Sequence, residues 1–522
     1  MILNEIAAAQ QIGFPILSIL LFLPIILLIT LSFVRDEAMA YRFGLMGAVL
    51  ELIFACVLAV RFIPDVADMQ FVERGGTLPL LGIGYHLGVD GISVMFVPLT
   101  ALLTVLAFLY AEPAVKSDLR HYLIAMLGFE ATMIGVFIAL DLMLFWLFFV
   151  LELIPSYFLI ARWGTGEKRR EAALNYVGVM VAGSLLMLWA ILLLGQNVRS
   201  AGITAETSYD FLTLLTVPVP VELQTLVFFL LFLGLAIKAP IFPFHTWMPR
   251  VLEQGPVVGV SIFLVGIKVG TYGFLRFVIP LLPEASKQWF WLIALLGAAG
   301  ILYGSLIALI QSNLRRLLAF ASLSHMGVVV LSLFSLNVAG FQGGLLQMIN
   351  LGIVGAGLFF VAGFLYTRLG PPELASMGGL GHLPVLTFTF LIIGLAGIGL
   401  PGTGGFNAEH LVLIGAMQVH WAMALVAGVG TFLTAAYFLR YFQQGFLGPA
   451  NPQRAMPDLR RRELFIAATL GAMILWIGLD SGPFLRTMNG SVQALAERVE
   501  RGSIAQAQPP SAPARSQGEV LR

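Results

Sequence analysis

Apolar runs of about 20 residues, the length that crosses a bilayer as a helix, recur along this 522-residue chain. Fourteen can be marked, at approximately 14–34, 42–62, 92–112, 119–140, 142–162, 176–195, 222–243, 256–280, 288–310, 315–336, 344–368, 384–413, 418–446 and 464–485. No Lys or Arg precedes the first run, and Arg35 is the first basic residue. A cleaved signal peptide has a basic start and a shorter apolar core, so 14–34 is expected to be a retained helix. The last stretch, 503–522, is polar and rich in Pro and Ala, and disorder is expected there.

Two runs are interrupted. Span 7 breaks at Lys238-Ala239-Pro240 and Pro243, and span 12 at "GLPGTGGFNAEH", 399–410. Each break has an ionisable group beside it, Lys238 in one and Glu409 in the other. The breaks are five spans apart, so helices 4–8 and 9–13 can form a repeat. A repeat of odd length has inverted topology, a transporter plan with the ion path at the broken helices. Backbone groups freed by such breaks need water or neighbouring protein, which implies a hydrated interior. The expected fold is an all-α polytopic membrane protein with two inverted five-helix repeats. Its divisions are 1–113 (helices 1–3), 114–283 (first repeat), 284–447 (second repeat), 448–502 (helix 14 region) and the tail 503–522.

Composition agrees. The chain is 59% hydrophobic and 11% charged, against about 25% charged in an ordinary soluble domain, and its mean hydropathy is +0.93. A net charge of +1 gives no sign of nucleic-acid binding. The single cysteine, Cys56, excludes disulfides, iron–sulfur clusters and thiolate metal sites on this chain. Seventeen basic residues lie in or beside loops after odd-numbered spans. Only five (Arg61, Arg74, Arg199, Arg276 and Lys287) follow even-numbered ones. The positive-inside rule then puts odd loops in the cytoplasm and both termini on the periplasmic side.

Against this apolar background a few ionisable residues sit at membrane depth. A lysine at a helix centre costs about 2.5–3.5 kcal/mol on insertion scales, and such residues mark ion or proton paths. Lys238, read alone, could snorkel from a helix end, but "IFPF" continues the apolar run beyond it. Lys268 is about twelve residues from either end of its span. Burial favours its neutral form and a carboxylate its charged form, so it can exchange protons. Glu409 follows a glycine-rich kink, where it could cap the half-helix. Glu130 and Glu152, in spans 4 and 5, could pair with an arginine. His245 lies seven residues past Lys238, near the same face if helix persists, and His325 is alone in span 10. Packing does not explain a row of Glu, Lys, Lys, His and Glu. It has the composition of a proton relay, with any redox chemistry left to partners.

The motifs carry a resemblance. The chain resembles the antiporter-like membrane subunits of respiratory complex I, of the chain M (chain 4) type of NADH-quinone oxidoreductase. The residues are "FPILSILLFLP" (14–24), "YHLGVDGISV" (85–94), "GVFIALDLMLF" (135–145), "IPSYFLIARWG" (154–164), "IKAPIFPFHTWMP" (237–249), "GIKVGTYGFLRF" (266–277), "LIQSNLRRLLAFASLSHMG" (309–327), "GLPGTGGFNAEHLVL" (399–413) and "PDLRRRELFIAATLGAMILWIG" (457–478). The resemblance implies a bacterial inner-membrane subunit of a proton-translocating enzyme complex, moving protons as quinone is reduced elsewhere. It carries no redox centre itself. NADH, FMN, iron–sulfur clusters and quinone are expected in partners, namely antiporter-like and quinone-site subunits of the membrane arm, with lipid around them. By motif match Lys238 is similar to the family's broken-helix lysine, Lys268 to its central lysine and Glu409 to its terminal acid. His245 and His325 match its relay histidines.

Four departures stand out. The family's glutamate five residues before the proline of "IPxYFLI", which pairs with the first lysine, is Val150 here. Glu152 lies two residues on, about 200° around a helix, so it is not expected to substitute. Leu252 and Leu351 occupy positions where the resemblance leads one to expect histidines, and Arg315-Arg316 replace a pair containing lysine. The chain is accordingly read as a divergent chain M paralogue. Other readings are a multi-subunit cation/proton antiporter, an energy-converting hydrogenase, a bicarbonate-uptake complex, or a scaffold without transport.

Overall fold

The computed structural model describes residues 3–78, 82–202, 207–257, 260–447 and 456–507. Its helices of eight residues or more are α1 (Ile16–Phe33), α2 (Glu37–Arg61), α3 (Phe96–Ala114), α4 (Leu119–Ile138), α5 (Leu142–Leu151), α6 (Leu153–Trp163), α7 (Arg169–Ser200), α8 (Val221–Lys238) and α9 (Trp247–Gln254). They continue with α10 (Val260–Gly273), α11 (Pro283–Leu309), α12 (Leu314–Leu333), α13 (Val338–Leu369), α14 (Pro384–Ile398), α15 (Gly404–Val419), α16 (Trp421–Phe446), α17 (Arg461–Leu479) and α18 (Gly482–Ala507). Among the described residues, twelve helical segments are long and apolar enough to span a bilayer, with α5 and α6 counted as one. The other two of the fourteen expected runs are present in pieces. Residues 256–280 hold α10, which passes into a π-helical turn at Phe274–Val278. Residues 384–413 hold α14, a gap, and the first part of α15.

Local chemistry sets the ends of these helices. Asp141 accepts from the N–H groups of Met143 and Leu144 (both 2.9 Å) and opens α5. Asn313 and Asn337 do the same for α12 and α13. Pro283 and Pro384 stand at the first positions of α11 and α14, where a missing N–H costs nothing. α8 stops at Lys238 because Pro240 and Pro243 cannot continue the hydrogen-bond ladder. One carbonyl freed there, that of Ile237, accepts from the Trp247 indole at 2.9 Å.

α13 is almost wholly buried and forms the axis of the bundle. α1, α2, α16 and α17 expose large apolar side chains, among them Phe33, Val60, Phe432 and Leu479. Such a surface suits lipid or further subunits, not water.

Three features lay outside the sequence expectation. A hairpin of β2 (Met69–Leu78) and β3 (Ile83–Val89) caps one end, with the short β1 (Glu5–Ala7) pairing parallel to β2. Helix α18 follows the last span, and Arg498 on it donates to the carbonyls of Pro280 (2.6 Å) and Leu215 (2.9 Å). Its residues 503–507 are helical where disorder was expected, and 508–522 lie outside the described residues. Lastly, Arg276 does not belong to a loop. It is buried and pairs in two places with Asp90, Nη1 to Oδ2 at 3.0 Å, so it does not bear on orientation. Arg315 is buried too, donating to Thr165 (2.7 Å) and the Gly255 carbonyl (2.8 Å).

Candidate functional site

Glu152, not position 150, faces Lys238. Lys238 Nζ is 2.5 Å from Glu152 Oε2 and 2.8 Å from the Tyr176 hydroxyl. That hydroxyl in turn donates to Glu152 Oε1 at 2.9 Å, and Ser156 donates to the same oxygen. Glu152 is fully buried and Lys238 2% exposed. The ammonium also stands over the rings of Phe149 and Tyr176, 5.5 and 5.3 Å from their centroids.

Glu152 lies about 200° around the helix from Val150, but Val150 does not mark the inward face. The inward face of this span has its own stripe at Phe145, Phe149, Glu152, Ser156 and Ile160, spaced as one face of a helix requires. Val150 lies off that stripe and is only half-buried. The turn at Glu152 reflects Pro155, which has no N–H to give Leu151. Ser156 could have been found from its i+4 spacing to Glu152. Tyr176, on α7, could not.

The small cavity at Lys238 is lined also by Trp247, Leu252, Gly266 and Ile267. Lys268 follows directly on α10 and is 2% exposed. Its Nζ lies 3.6 Å from Met326 Sδ. Among the described residues no carboxylate is within ion-pair distance of it. Lys268 and His325 line one narrow cavity, which extends past Leu351 to Thr434 and Tyr437 on α16. His325 lies within electrostatic reach of Lys268, and its Nε2 is buried without a hydrogen-bond partner. Tyr437 donates to Thr434 at 3.4 Å, and one turn earlier Thr431 donates to Glu409 Oε2 at 3.0 Å. Buried polar groups therefore run from α6 and α8 through α10 and α12 to α15 and α16. Thr431, Thr434 and Tyr437 carried no signal in the sequence beyond being polar in a span.

Two candidates sit apart. His245 is in the irregular stretch after α8, stacked on Phe242 (5.6 Å) and edge-on to Tyr303 (5.2 Å). Because helix does not persist past Lys238, the two-turn spacing does not bring it to the lysine. Glu130, in α4, pairs with no arginine and is fully buried. The two leucines at expected histidine positions line the cavities, Leu252 at Lys238 and Leu351 at Lys268. Gln347 and Asn350 stay near the span 12 break, where Gly404 and Gly405 pack against the Asn350 amide. Among the described residues no group of three or more His, Cys, Asp or Glu could hold a metal ion.

The family model described as "NADH:quinone oxidoreductase/Mrp antiporter, TM" matches residues 139–434, which hold the line from Glu152 as far as Thr434, with Tyr437 just beyond. NADH-quinone oxidoreductase subunit M of Rickettsia typhi is 35% identical over 494 residues, covering 92% of this chain and 98% of that relative. A chain of respiratory complex I from Thermus thermophilus with bound NADH superposes with a TM-score of 0.84 at 32% identity, over 92% of this chain and 99% of that one. A chain of the Mrp complex from Dietzia sp. shares the fold, with a TM-score of 0.76 at 22% identity over 95% and 99% of the two chains. The chain thus belongs to the NADH:quinone oxidoreductase/Mrp antiporter transmembrane family, and within it to the antiporter-like subunits of the chain M type.

Proposed function

We propose that this chain is a proton-translocating membrane-arm subunit of a complex I-like NADH:quinone oxidoreductase, coupled to quinone reduction in partner subunits. The observation that carries the reading is the fully buried Lys238–Glu152 pair, bridged by Tyr176. A buried ion pair with a hydroxyl between its members is a two-state element: displacing the carboxylate leaves an uncompensated ammonium that tends to give up its proton. Lys268, one residue beyond the lining of that cavity, is the next acceptor in space. The cavity it shares with His325 reaches Thr434 and Tyr437, and Thr431, one turn before Thr434, donates to Glu409. Water in the two helix breaks would carry protons between the polar groups and the membrane faces.

On this reading the chain divides into helices 4–8 and 9–13 as inverted repeats, with 1–113 and 448–502 flanking them. The arginine-rich ends face the cytoplasm of a bacterial inner membrane. The termini are periplasmic. FMN, iron–sulfur clusters and the quinone site belong to partners, and other antiporter-like subunits flank this one.

The test is NADH-driven proton uptake by the purified, reconstituted complex. Lys238→Ala and Lys268→Ala should each reduce protons moved per electron pair while assembly is retained. An unchanged ratio in both variants would discard the proposal. Sodium/proton exchange by the chain without an electron donor would instead favour an antiporter role.

A further inference from the structure

A second buried acidic site lies outside the lysine line. Glu51, on α2, is fully buried, as is Glu130 on α4, and none of their four carboxylate oxygens has a hydrogen-bond partner. The packing brings them together. A side chain at Gly44 of α2 would meet Leu123 of α4 (3.6 Å) and Phe108 of α3 (3.3 Å). α2 and α4 are alternate spans and run the same way. Seven residues further along each, about two turns or 10.5 Å, stand Glu51 and Glu130. Glu130 lies within electrostatic reach of Glu51, while the Thr104 hydroxyl of α3 donates to the Thr100 carbonyl at 3.1 Å.

No cation answers them among the described residues. α1 has no ionisable residue. On α3, Tyr110 bonds to Thr367 (3.1 Å) and Glu112 pairs with Arg462 at the helix end. On α4, Tyr122 is buried two turns away from Glu130, while Arg120 and His121 are at the start of the helix. Next to α4, Glu152 is bound to Lys238, Lys268 points to Met326, and Tyr272 donates to the Phe137 carbonyl (3.2 Å). Two carboxylates buried in an apolar medium without donor or cation cannot both be ionised.

The geometry points to a proton-binding carboxyl pair: Glu51 and Glu130 hold an exchangeable proton between them, on a site separate from the Lys238–Lys268–Glu409 line. Glu51 gave no sign of this in the sequence, being one glutamate in an apolar run.

The experiment uses the assembled complex and does not depend on pumping. Dicyclohexylcarbodiimide reacts with protonated carboxyls in apolar surroundings. Mass spectrometry after treatment at neutral pH should find Glu51 or Glu130 modified, with modification declining in alkali. In Glu130→Gln the like charge is gone, so the midpoint of Glu51 modification should fall by about one pH unit or more. Infrared spectra supply the second measurement, a protonated-carboxyl stretch at neutral pH that Glu51→Gln and Glu130→Gln each diminish. The proposal fails if both residues stay unmodified at neutral pH, or if that band survives both substitutions. Protection by sodium at constant pH would reassign the pair to a metal cation and likewise overturn it.

Discussion

Glu152 decides how the first lysine is compensated. Carried over by resemblance, the carboxylate position is Val150, and a helix angle then argues that Glu152 cannot reach. The inward stripe of this span runs instead through Phe149, Glu152 and Ser156, and the ion pair forms at 2.5 Å. Leaving one member of a buried pair uncompensated costs about 3–5 kcal/mol. Glu152→Gln should therefore shift Lys238 towards its neutral form and reduce proton movement about tenfold or more. Restoring a glutamate at Val150 in that background should not rescue it, because that side chain lies off the inward face. Proton uptake by the reconstituted double variant checks this, and full rescue would mean the helix rotates to use either position.

Among the elements, the two breaks differ in what makes them. Prolines alone end α8, whereas the gap between α14 and α15 combines Pro401 with glycines. Gly399 has φ +83°, and a Cβ there would come within 2.8 Å of Glu409 Oε2. Gly399→Ala combines a left-handed backbone, worth about 1–2 kcal/mol, with displacement of that carboxylate. It should lower the melting temperature and impair proton movement together. A variant with wild-type melting and pumping would show that Gly399 does not position Glu409. The interruption of the apolar run at "GLPGTGGFNAEH" located this break, and its glycines and proline explain why helix stops. Which group would answer Glu409 was not legible. Thr431 is 22 residues away on the next helix, and only the packing of α15 on α16 selects it.

At the scale of the molecule, the hairpin end ties distant spans together. His86 on β3 is 2.5 Å from Asp210, which also accepts from the N–H and hydroxyl of Thr213. Burial works against ionisation of Asp210, but His86 and Thr213 outweigh it and hold its pKa below the usual carboxylate value. Because the folded value is the lower one, this contribution is complete above about pH 4. It is lost as the pH falls through the folded value. Asp141, which burial pushes up to about 6, acts in the opposite sense over a higher window. Hydrogen exchange in residues 69–89 should therefore quicken below about pH 4. Asp210→Asn should remove that acid dependence, and equal acid profiles in the two proteins would exclude the mechanism.

The number and order of the spans, the two breaks and the ionisable residues beside them were determined by the sequence alone. These follow from apolar run length, from proline and glycine chemistry, and from the cost of a charge in lipid, all of which are local. The pairing of Lys238 with Glu152, the cavity joining Lys268 to α16 and the meeting of Glu51 with Glu130 were decided only by the tertiary structure. Each is a juxtaposition of helices distant in the chain. Its geometry depends on how side-chain stripes turn inward when the bundle packs, and a run of apolar residues does not encode that rotation by itself.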